Sequence, residues 1–148
     1  FDEGLYDPAN EPDIAYAHLF SYFRGEEWRT QKETQRLLDK YFTTKPNGIP
    51  GNDDTGTMSA WAIFNMIGFY PDCPGLPEYT LTTPVFNKVT IRLDPKWYKE
   101  KELVIESNRT QPGTLYINKV LLNGKKFNQY RITHDELVHS QRILFDLK

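Results

Sequence analysis

Two aspartates stand side by side in a glycine-bracketed turn, Asp53 and Asp54 of "NGIPGNDDTGTMSAW", residues 47–61. Neighbouring like charges repel, so the pair asks for a cation or a proton between them and whatever they face. A carboxylate just ahead of a helix is held ionised by the free N–H groups and the positive end of the helix dipole. In that state it can take a proton from water or ligate a hard cation such as calcium, to which Asn52 can add an amide oxygen. Ordinary turn chemistry explains the same residue types, because Asn and Asp bond nearby backbone and Thr57 can cap a helix that starts at Met58. A second acidic site lies in "PANEPDIAYAHLF", residues 8–20, where Asn10 and Glu11 precede a proline suited to a first helical position. Glu11 therefore also sits at a helix start, and capping is again the plainer alternative. Two acidic sites at two helix mouths can converge, which spacing alone does not prove.

The other reactive side chains point to less. His18 reads as a satisfied structural histidine, and His134 and His139 as turn residues of a later sheet. Trp28 and Trp61 are expected in the core, with a stacking platform for a sugar ring as the alternative. No Ser/His/Asp or Cys/His arrangement, phosphate-cradling glycine loop or zinc spacing accompanies them. Carboxylates and oxygen ligands remain. They suit glycoside hydrolysis, in which one carboxylic acid protonates the leaving oxygen and another carboxylate activates water.

Helices must carry both acidic sites. Tyr16, Leu19, Phe20 and Phe23 recur at i, i+3, i+4 and i+7, which predicts an amphipathic helix buried on that face and ended by Gly25. A second helix is expected over about 26–42, with Leu37, Leu38, Tyr41 and Phe42 at its buried end. "MSAWAIFNMIGF", residues 58–69, is apolar nearly all round and predicts a helix in the interior of a larger helical assembly. After "PDCPGLP" the period becomes two: Val89, Ile91 and Leu93, then Leu115 and Ile117, then Ile143, Phe145 and Leu147. Asn123-Gly124 signals a hairpin turn, and Thr133 with Glu136 has capping-box spacing. The fold class is thus α+β, a helical part over 1–75 and a small antiparallel β-sandwich over 76–148, joined at the proline-rich 71–77.

Composition bounds the partners. The chain has 148 residues, 39% hydrophobic, and a net charge of −2, enough for a core and without a basic run for nucleic acid. No apolar run reaches the ~18 residues of a membrane span. One cysteine, Cys73, excludes an internal disulfide. With Phe1 first, the chain reads as a fragment or processed piece of a longer polypeptide.

"NEPDIAYAHLF", then "WRTQK", then "GIPGNDDTGTMSAWAIFNMIGFYPDCPGLPEYTLTTPVFNKVTI" together closely resemble the C-terminal part of the glycoside hydrolase family 92 α-mannosidases. The resemblance implies a secreted or periplasmic, calcium-dependent, inverting exo-α-mannosidase acting on linkages such as α-1,2 in mannose-rich glycans, and so in N-glycan degradation. It implies that the helices are the last of an (α/α)6 barrel, with the sugar held between that barrel and an N-terminal sandwich. It makes Asp54 the general base, Asp53 its neighbour, Glu11 and Asn10 substrate contacts, and Glu11, Asp54 and Asn52 calcium ligands. Histidines common in the family after the "NEP" proline are replaced here by Asp13-Ile14-Ala15. The family's acid motif, resembling "EGNxWQY", does not occur and is expected upstream of Phe1, so the chain alone is expected to be inactive. The competing reading is a non-catalytic carbohydrate-binding or scaffold module.

Overall fold

The structure, a computed structural model, describes Asp7 and residues 10–148. Two 3-10 segments, Glu11–Asp13 and Tyr16–Tyr22, precede helix α1, Glu27–Tyr41, and helix α2, Thr57–Ile67. Helix α1 buries Thr30, Gln31, Thr34, Leu37 and Leu38, one stripe at helical spacing, close to the expected span. The segment before it departs from expectation. It is a tighter 3-10 coil, and it turns Ala17 and His18 inward while Tyr16, Leu19 and Phe23 are exposed. With three residues per turn instead of 3.6, residues i and i+4 no longer share a face, so the apolar set read as one buried stripe is split. The inward position goes to His18, which has a polar partner in the core: its Nε2 lies 2.9 Å from Asn65 Oδ1, and its ring stacks on Tyr70 at 4.4 Å.

Helix α2 buries Met58, Trp61, Ala62 and Asn65 but leaves Ile63 exposed, so among the described residues it is covered on one side only. Gly68 ends it at φ 118°, where a Cβ would stand 2.8 Å from Pro84 Cγ. Only glycine allows both that backbone angle and that approach.

The strands are β1 (Phe69–Tyr70), β2 (Glu78–Leu81), β3 (Lys88–Arg92), β4 (Glu102–Arg109), β5 (Ile117–Leu122), β6 (Lys125–Phe127), β7 (Arg131–Thr133) and β8 (Arg142–Leu147), with a short helix α3, His134–Val138, before the last. They form two sheets, β1-β2-β7 and β3-β4-β8-β5-β6. The alternation read over 143–147 is realised: Ile143, Phe145 and Leu147 of β8 enter the core, where Leu103 and Ile105 of β4, a strand not anticipated, join Phe69, Leu81 and Ile132 of the smaller sheet. Asn123 (φ 49°) and Gly124 (φ 81°) make the β5–β6 turn, and Thr133 with Glu136 closes the capping box of α3. The larger sheet is mixed, not purely antiparallel, because β4 and β8 run parallel. The α+β class stands. The parallel pair arises because the chain leaves the sheet after β6, passes through β7 and α3, and returns between β4 and β5.

Helices and sheets are fastened together. Gln31 Oε1 of α1 accepts the Ile117 N–H of β5 at 2.9 Å, and Phe64 and Ile67 of α2 pack on the sheet core. The 71–77 stretch links β1 to β2, which are neighbours in one sheet.

Candidate active site

The two acidic sites meet in space. Glu11 and Asp54 line one cavity of about 580 Å³, with Ile14, Met58, Tyr70 and Asp72 among its other walls. Glu11 opens the first 3-10 segment, which has three residues and so lacks the long dipole expected behind it. Asp54 is presented by an unusual turn. Asp54 (φ 42°), Thr55 (φ 61°) and Gly56 (φ 92°) are three consecutive residues in the left-handed region. Glycine takes this freely and aspartate tolerates it, but a β-branched threonine there is strained. Hydroxyls of Thr55 and Thr57 both donate to the Asp54 carbonyl, at 2.6 and 2.8 Å, and hold the turn. The Asp54 carboxylate itself makes no hydrogen bond within the described residues.

Asp53 does the opposite. Its carboxylate accepts the Ser59 N–H at 2.7 Å and the Ser59 hydroxyl at 2.8 Å, which hold it below the usual carboxylate range. The helix-start donors expected to act on Asp54 are therefore spent on Asp53, and Asp53, not Thr57, caps α2; the helix begins one residue earlier, with Gly56 as its N-cap. Asp53, Asn52 and Asn10 lie outside the cavity lining.

Sequence reasoning missed Tyr70 and Asp72. Both follow α2 in "GFYPDC", where an acid two residues past a strand was the only signal. Tyr70 is clamped between His18 and the core aromatics Trp61 and Phe64. Burial, with Asp72 adding to it, pushes its hydroxyl up to about 12, so it stays a protonated donor across the ordinary pH range. The Asp72 side chain is 1% exposed and is fixed by Arg131 Nη1 at 3.1 Å and the Thr80 hydroxyl at 2.9 Å. His18 is pushed down to about 4, chiefly by burial, and is therefore neutral near pH 7. It braces Tyr70 as a structural histidine.

Calcium takes six to eight oxygen ligands. Among the described residues no group of three His, Cys, Asp or Glu side chains is placed to hold an ion. Glu11, Asp54 and Asp72 give the cavity hard oxygens and no lysine, arginine or histidine in its lining. Glu11 and the unbonded Asp54 fit a share of a calcium shell, whereas Asp72 is already paired.

The cavity thus gathers carboxylates from two segments on a helix-plus-sheet scaffold. The glycosyl hydrolase family 92 catalytic domain profile matches residues 1–148, and the chain belongs to that family. The α-mannosidase BT3965 of Bacteroides thetaiotaomicron is 32% identical and superposes with a TM-score of 0.88, over 98% of this chain and 19% of its own. The inverting mannosidase BT2199 of the same species is 34% identical, TM-score 0.85, over 98% and 19%. An uncharacterized secreted glycosidase of Arthroderma benhamiae is 28% identical across 90% of this chain and 17% of its own length. The chain thus spans about a fifth of the length of these relatives.

Proposed function

We propose that this chain contributes the base side of the active site to a secreted, inverting exo-α-mannosidase that releases mannose from mannose-rich glycans, α-1,2 linkages included. The observation that carries the reading is the meeting of Glu11 and Asp54 on one cavity wall, from segments far apart in the sequence. Family membership supports glycoside hydrolysis, and the names of the bacterial relatives support mannose as the sugar. The secreted address is taken from the fungal relative.

In this reading Asp54, held out by its strained turn and with its carboxylate unbonded within the described residues, takes the proton of the attacking water. Glu11 and the Tyr70 hydroxyl bind sugar hydroxyls, and Asp53 keeps the turn in register by capping α2. The general acid belongs to polypeptide outside this chain, about 6.5–9.5 Å from the base, as inversion requires room for a water. Glu11 and Asp54 would hold part of the shell of a calcium ion, with Asn52 and Asn10 close in sequence to each. A bound calcium would supply positive charge beside the sugar hydroxyls.

The test is Asp54→Asn in the longer polypeptide. It should lower kcat by about 10²–10⁴-fold with a much smaller change in KM on α-mannobiose, and exhaustive chelation of the unaltered protein should abolish turnover until calcium is returned. Near-normal kcat in Asp54→Asn would remove the base assignment.

A further inference from the structure

We propose that the cleft between α1 and β5 is a second carbohydrate site, which holds a neutral sugar residue of the glycan outside the cavity of Glu11 and Asp54. The proposal takes its ligand class from the glycan substrate proposed above and uses none of the catalytic assignments. The cleft measures about 370 Å³ and is lined by Trp28, Gln31, Tyr116, Ile117, Tyr130 and Lys148.

Trp28 is the first reason. Its place in α1 promised a core residue, yet it is 41% exposed. Its indole meets Tyr116 edge-on, with centroids 6.3 Å apart and planes at 74°, and Arg29 packs over it at 5.4 Å. Both contacts fix the ring without burying it. Exposed, immobilised aromatics are what the C–H face of a pyranose packs against, because the ring keeps an apolar surface beside a polar rim.

Gln31 is the second and independent reason. It is 2% exposed, and its Oε1 is spent on the Ile117 N–H. Its Nε2 makes no hydrogen bond within the described residues, and Gln31 is part of the cleft lining. A ligand oxygen would pair that donor in place of water. The Tyr116 and Tyr130 hydroxyls likewise have no partner among the described residues. Burial, with Glu27 adding to it, pushes the Tyr130 hydroxyl up, so it remains a donor. The lining has one charge, Lys148, and no carboxylate. With Glu27 acting on Tyr130 and Arg29 lying on Trp28, charges of both signs stand around the cleft, and its walls suit a neutral polyol with an apolar face.

The experiment uses the longer polypeptide and two probes, soluble α-mannan and an aryl α-mannoside too small to span both sites. Trp28→Ala, on an exposed side chain, and Tyr116→Phe, which removes only a hydroxyl, are the variants. Trp28→Ala should weaken mannan retention in affinity electrophoresis about tenfold and lower kcat/KM on mannan similarly, with aryl mannoside turnover within twofold; Tyr116→Phe should weaken mannan retention to a smaller degree. Unchanged mannan retention overturns the proposal. So does an equal fall on both probes, or a lowered Tm with retention intact, which would mark the cleft as a seam within the longer protein. If the unaltered protein cleaves no mannoside, the catalytic reading fails, while a panel of mannan, xylan and β-glucan still decides the cleft: retention of one of them that Trp28→Ala abolishes supports it, and retention of none overturns it.

Discussion

At the scale of single residues, the adjacent aspartates divide their work according to backbone angle. Asp53 faces the first turn of α2 and is satisfied there, while Asp54, one residue on and at φ 42°, is swung to the cavity. Because Ser59 holds the Asp53 carboxyl below its ordinary value, its capping contribution is complete above the usual carboxylate range and is lost as pH falls through its folded value. Asp53→Ala should therefore lower Tm at pH 7, with the gap to the unaltered protein closing on acidification below about pH 4; a gap that stays constant would mean that the ionised form does not do the capping. The sequence showed the pair. It did not show the division, because which aspartate caps depends on three consecutive left-handed residues, one of them a threonine that no propensity would place there. Glu11 was legible for the opposite reason, since the proline behind it leaves few conformations. Tyr70 and Asp72 were hidden by the ordinary look of a proline-rich loop.

Among the elements, those whose burial follows a simple period were readable: α1 by its apolar end, β3 and β8 by alternation, the β5–β6 turn by Asn-Gly. The segment before α1 was misread because the same apolar residues fit two coils with different turn lengths, and a buried polar pair, His18 with Asn65, decides between them. The parallel pairing of β4 and β8 has no local signature either, being a consequence of where the chain returns. Gly68 is the element-scale test. It joins α2, which carries the capped turn, to β1, which carries Tyr70. Gly68→Ala would face both a φ of 118° and the Pro84 ring. It should cost more than ~1 kcal/mol in urea denaturation, and an unchanged midpoint would show that the junction can relax.

Across the whole molecule, one side chain gathers the parts that surround the cavity. Arg131 of β7 donates to Asp72 in the 71–77 loop at 3.1 Å, to Thr80 of β2 at 2.7 Å, to Ser21 of the second 3-10 segment at 3.3 Å and to Glu78 at 3.2 Å, and lies over the Tyr22 ring at 4.3 Å. Arg131→Met strands the Asp72 carboxylate in a site with almost no solvent, a loss of about 3 kcal/mol. Adding Asp72→Asn should recover part of it; a double variant no more stable than the single one would show that the ion pair is not what the arginine provides. A different consequence follows from the place of β8. The strand that ends this sheet in sequence, Arg142–Leu147, is third of five in space, bonded to β4 on one side and β5 on the other. During synthesis, then, β3 with β4 and β5 with β6 emerge from the ribosome as two separate hairpins that have nothing between them to pair with. The sheet closes only once residue 147 has cleared the exit tunnel, and a chain released before β8 is made lacks the middle of this sheet and not its edge.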